Sequence, residues 1–199
     1  MKGVARRGEW LAPFLVGAAG AIAAEVAIGI LLYAGPGLLR SLTTVLAVEA
    51  GAFAAGLWRA PPGHSELIDH LRRRWLFCLA TYVAAAFFGT SWSVVQDLGG
   101  GPLGQGVGLA VLAALPLYSC GLVLGGMGAL VASDPVNDLR APGAAAALGA
   151  AMGFVITGFL LPRAPMPASL LVACLVILSA SGMIFGAALG SRSVVHVRA

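Results

Sequence analysis

Charge is what this sequence lacks. Of 199 residues only 12 are Lys or Arg and 8 are Asp or Glu, 10% together, against about 25% in ordinary soluble domains. Hydrophobic residues make up 59%, and a chain of this size cannot hide that much apolar surface from water. Mean hydropathy of +0.94 points to a bilayer as the solvent. Cysteine is scarce as well. Cys78, Cys120 and Cys174 include no Cys-x-x-Cys pair, so the sequence suggests neither a disulfide framework nor a cysteine metal site, and free thiols acting as small buried hydrophobes are expected.

The residues that carry catalysis are missing from the apolar stretches. His64, His70 and His196 all fall in polar segments, so no haem ligation or histidine metal site within the membrane is available. Ser91, in Gly89-Thr90-Ser91-Trp92, has no neighbouring His or Lys to activate it. The paired aspartates of prenyl- or phosphatidyl-transferases are absent. The glycine-rich segment 99–106 lacks the Gly-Lys-Ser/Thr ending of a phosphate loop and reads as a linker. We expect no enzyme, no cofactor and no metal.

What is present is six apolar stretches, at 10–35, 41–58, 75–95, 107–132, 144–161 and 168–189. A spanning helix needs about 20 such residues. The runs are continuous Ala, Leu, Val and Gly rather than the alternating pattern of barrel strands. Helices also satisfy every backbone donor and acceptor internally, as lipid requires. The expected fold class is therefore all-α, a single polytopic membrane domain of six helices covering 1–199. The first run, 11–33, exceeds the roughly 7–15 apolar residues of a signal peptide and reads as an uncleaved span.

Six spans put both termini on one side with the second and fourth loops. That side carries Lys2, Arg6, Arg7, Arg59, Arg72, Arg73, Arg74, Arg140, Arg192 and Arg198, whereas the other carries Arg40 and Arg163. The asymmetry predicts cytoplasmic termini in a bacterial inner membrane. The net charge of +4 then reports topology and contact with anionic lipid, not nucleic-acid binding. Trp10, Trp58, Trp75 and Trp92 all fall at predicted span ends and read as an interfacial belt.

Gly35-Pro36-Gly37 predicts a tight turn that makes the first two spans an antiparallel hairpin. After Pro61-Pro62-Gly63, Ser65 caps a short helix with Glu66, Asp69, His70 and Arg72 to Arg74 on one side and Leu67, Ile68 and Leu71 on the other. It reads either as an interfacial helix or as a solvated elbow. Ser133-Asp134-Pro135 and the segment 162–167 mark later turns. Glycines recur at four-residue spacing in Gly104/Gly108, Gly121/Gly125, Gly149/Gly153 and Gly182/Gly186/Gly190. Such ridges let helices approach closely in lipid, and the triple is the most specific candidate packing ridge. Pro116 is a candidate helix bend within the fourth span.

Only Glu25 and Glu49 are ionisable well inside the spans. Glu25 lies about 22 Å along its helix from Trp10, and Glu49 about 14 Å from Arg40. Both fall at similar depth, and no Lys, Arg or His in any span could pair with them. An intramembrane carboxylate without a partner reads as a proton or cation site in a polar cavity. The competing reading is a packed, protonated pair hydrogen-bonded to helix carbonyls, Thr43, Thr44 or a partner chain.

Two stretches carry a resemblance. Gly17-Ala-Ala-Gly-Ala-Ile-Ala-Ala-Glu25, continuing through Thr43-Thr-Val-Leu-Ala-Val-Glu49-Ala-Gly51 to Gly56, is similar to the opening helix pair of membrane domains fused to spermidine-synthase-like proteins. Leu115-Pro116, Gly121-Leu-Val-Leu-Gly125-Gly, Gly149-Ala-Ala-Met-Gly153 and Gly158-Phe-Leu-Leu-Pro162 resemble their later helices. The resemblance implies a six-helix, major-facilitator-like half bundle. No counterpart of the synthase domain occurs in these 199 residues, so it implies neither that activity nor a substrate.

From these features the leading expectation is a non-catalytic subunit packing with other membrane proteins, such as the subunits of an energy-transducing complex. The alternative is a small proton- or cation-coupled transporter or channel that self-associates as a dimer of six-helix units.

Overall fold

The computed structural model describes residues 2–32, 38–59, 67–91, 107–132, 140–160 and 168–196. Among these every regular element is helical: α1 (Lys2–Leu32), α2 (Leu38–Trp58), α3 (Leu67–Thr90), α4 (Leu115–Ala132), α5 (Arg140–Leu160) and α6 (Ala168–His196). Four helical stretches are long and apolar enough to cross a membrane: Trp10–Leu31 in α1, Leu109–Leu130 in α4 with the turn before it, Pro142–Leu160 in α5 and Ser169–Ala188 in α6. The apolar part of α2, Leu42–Trp58, is shorter.

Proline placement shapes two of these helices. Pro142 occupies the first turn of α5, where its missing N–H breaks no helical bond. Pro116 lies at the start of α4, immediately after a π-helical segment, Leu109–Ala114. There the Leu115 N–H donates to the carbonyl of Ala110, five residues back rather than four. Pro116 itself is fully buried.

α1 and α4 form the centre. Of the span Trp10–Leu31, 67% is buried, and of Leu109–Leu130, 56%, against 22% for Pro142–Leu160 and 28% for Ser169–Ala188. α1 packs chiefly against α5 and α6, α4 chiefly against α2 and α3, and α3 meets α6. The α1–α2 hairpin expected from the sequence is not the main packing unit. These two helices touch only briefly, because α2 spends its small-residue face on α4.

The packing repeats. A Cβ on Gly17 would strike the carbonyl of Ala146, and one on Gly149 the carbonyl of Phe14. In the other half, a Cβ on Gly121 would strike the carbonyl of Phe53, and one on Gly56 that of Tyr118. In each of the four, the carbonyl lies three residues before the facing glycine. The α1–α5 and α4–α2 contacts are thus one motif used twice. α1 also takes α6 as an antiparallel neighbour, through Ser181 to Ala12 and Cys174 to Ala19. α4 takes α3 in the same sense, through Thr81 to Ser119 and Arg74 to Leu122. Exchanging the first three helices for the last three preserves the whole pattern of neighbours.

Several expectations are corrected. The short loop helix and the third span are one helix: α3 runs unbroken from Leu67, because Asp69 to Arg74 supply good helix formers directly before the apolar run. Trp75 is not interfacial but 8% exposed. Its Nε1–H donates to the Leu178 carbonyl at 3.0 Å, and its ring stacks on Phe185. Trp10 and Trp58 are exposed, 49% and 90%. Of the candidate ridge Gly182/Gly186/Gly190, expected to meet a helix of the bundle or another subunit, Gly182 faces the Trp75 ring and Gly186 faces open space. The surroundings of Gly190 lie outside what is described, as do Trp92, Ser65, Glu66, Gly104 and the turns at 35–37, 61–63, 99–106, 133–135 and 162–167.

Candidate functional site

A groove of about 480 Å³ opens between α2 and α5, with α1 and α4 as its floor. It exists because the floor and far wall are built of small residues. α1 contributes Gly20 and Ala24 and α5 contributes Gly143 and Ala147, so backbone approaches closely without filling the space between. Phe53 and Phe154 flank it, and Leu117 and Leu124 line it from α4.

Among the described residues Glu49 is the only acidic or basic one in the lining. It is 5% exposed, and its Oε1 is buried without a hydrogen-bond partner. Buried polar atoms are nearly always satisfied, so an unpartnered carboxyl oxygen on a residue that lines a cavity makes Glu49 the candidate binding group of the groove. Glu25 on α1 is partly buried and close enough for its charge to act on Glu49. The two glutamates singled out from the sequence are therefore brought within electrostatic reach, as their common depth predicts.

Pro116 stands apart from the carboxylates in role. It lies at the start of α4, and the next residue, Leu117, reaches the groove. Gly182 and Gly186 of the α6 ridge are not among its lining residues.

A second polar group fills the opposite side of α4. Thr81 Oγ1 and Ser119 Oγ are 2.9 Å apart and each is within hydrogen-bonding distance of a carbonyl of its own helix, Cys78 and Pro116 respectively, so one hydroxyl donates to the other and the second to its carbonyl. Tyr82 Oη lies 3.2 Å from Cys120 Sγ, and Cys174 Sγ–H donates to the Ala19 carbonyl at 3.7 Å. All three cysteines are free and buried. These groups satisfy one another and join α3, α4, α6 and α1. Sequence reasoning passed over Thr81 and Ser119 because a hydroxyl bonded to its own helix carbonyl behaves as an apolar residue.

At the polar end of the bundle Arg74 lies across Gly126, whose missing side chain leaves room for it, and donates to the Leu122 carbonyl at 3.1 Å. Arg59 donates to Tyr118 Oη at 3.2 Å. Both arginines clamp α2 and α3 onto α4. Comparison with family models, curated proteins and solved structures finds no match to this chain.

Proposed function

We propose that the chain is a small ion-coupled membrane carrier whose working element is the Glu49 groove. The observation that carries this reading is the unpartnered Oε1 of Glu49, buried at a cavity floored by the two central helices. A proton or cation that binds there neutralises a costly charge, and so changes which arrangement of the surrounding helices is stable. The π-helical turn before Pro116 adds a place where α4 can yield.

In this reading all six helices cross a bacterial inner membrane with both termini cytoplasmic, α2 and α3 included. Each three-helix unit then has an odd number of spans, so the second unit is inverted relative to the first. Inverted repeats around a midplane site are the architecture of many secondary transporters. The resemblance to major-facilitator-like half bundles agrees with this, and implies a working dimer.

A second reading is supported by Gly186 on α6 and Gly158 on α5, which face open space. Bare backbone turned outward is what a close helix partner uses, so the chain would be a non-catalytic subunit of a larger complex. Flux in proteoliposomes separates the two. Wild type should move protons or small cations, and Glu49→Gln should reduce that flux at least tenfold, with Glu25→Gln also reducing it. If wild type passes nothing across a broad panel of ions and solutes, or if both variants match it, the carrier reading fails and the subunit reading stands.

A further inference from the structure

We propose that the groove between α2 and α5 takes a lipophilic monocation, an apolar body bearing one delocalised or shielded positive charge. The proposal rests on the carrier reading and names its substrate class. Three features of the groove set the chemistry. Its volume of about 480 Å³ is that of a small-molecule site, within the usual range of about 300–1,000 Å³. Among the described residues its lining is apolar apart from Glu49 and includes no Lys, Arg or His. Glu49 is 5% exposed, and its Oε1 is buried without a hydrogen-bond partner.

An acyl chain or neutral hydrocarbon would fill this space but leave the carboxylate oxygen orphaned. A hydrated inorganic cation would satisfy the oxygen but leave the apolar walls facing water. The amine of a lipid headgroup belongs at the interface, whereas Glu49 lies about 14 Å along α2 from Arg40. Only a ligand combining both properties satisfies wall and carboxylate together. Glu25, whose charge reaches Glu49, adds to the negative field without entering the lining. The aromatic rings of Phe53 and Phe154 on either side can further attract a cation through their faces.

Equilibrium binding of tetraphenylphosphonium to the purified protein in mild detergent tests this, with triphenylphosphine oxide as a neutral probe of similar shape. Wild type should bind tetraphenylphosphonium saturably and discriminate against the neutral probe. Glu49→Gln should weaken cation binding at least tenfold. Gly143→Leu should weaken it comparably while leaving the carboxylate in place, and a Cβ at Gly143 meets nothing within 4 Å, so this variant should fold. Equal affinity for cation and neutral probe, or unchanged cation binding in both variants, overturns the proposal. Glu49-dependent flux of protons or inorganic cations without tetraphenylphosphonium binding also overturns it while preserving the carrier reading. Glu49-dependent binding with no flux of any solute supports the site and counts against the carrier.

Discussion

A carboxylate among leucines and alanines is conspicuous in any sequence, and Glu25 and Glu49 could be picked out without a structure. Whether such a residue faces lipid, a neighbour or a cavity depends on helix rotation, which no single sequence reveals. Trp75 shows the converse. Its position beside Arg72 to Arg74 marks an interfacial residue, yet it is turned inward, because the facing Gly182 on α6 leaves room for an indole. That difference predicts unequal sensitivity. Trp75→Phe removes a buried donor to the Leu178 carbonyl and leaves unfilled space beside Gly182. It should cost about 1–3 kcal/mol. Trp58→Phe, at a residue 90% exposed, should change stability by less than about 0.5 kcal/mol. Denaturant titration in detergent micelles measures both, and equal effects would contradict the buried placement.

Whole helices were readable because their cause is local: long apolar runs need internal hydrogen bonding in lipid. Contacts between helices were less readable, because a glycine spacing says that close approach is possible and not which neighbour uses it. In the triple on α6, which has the strongest spacing, Gly182 faces the Trp75 ring and Gly186 open space, while the plainer pairs Gly121/Gly125 and Gly149/Gly153 sit against neighbouring backbone. Gly149→Ala places a methyl against the Phe14 carbonyl, and Gly121→Ala one against that of Phe53. Backbone cannot step aside as a side chain can, so each should destabilise by about 1–3 kcal/mol. Gly186→Ala meets nothing within 4 Å and should be neutral, or stabilising by up to about 1 kcal/mol through helix propensity. Thermal melting in detergent separates the two groups. A fall for Gly186→Ala only when the protein is extracted with its native partners would favour the subunit reading.

At the scale of the molecule, the two three-helix units cannot be separated. α1 finds its main partners in α5 and α6 and α4 finds its own in α2 and α3, so each unit completes the other's core. This exchange was invisible in the sequence, where the shared motif reduces to a glycine three residues after Phe14, Phe53, Tyr118 or Ala146. Charge, by contrast, predicts a topology, and the helix directions fit the alternating path which that topology needs. α1 runs antiparallel to α6, and α4 antiparallel to α3, as an alternating path requires. The polar start of α3, where Arg74 and Arg59 meet α4, should then be cytoplasmic. Cysteines introduced at Ser65 and Gly100 test the path on either side of α3. The native thiols need not be removed, since Cys78, Cys120 and Cys174 are all 0% exposed and beyond the reach of a membrane-impermeant maleimide. Intact cells should label at Gly100→Cys, and at Ser65→Cys only after permeabilisation. The reverse pattern would invert the topology. Labelling of both from the same side would mean that α3 does not cross the membrane, which would end the six-span reading and with it the inverted relation between the two units.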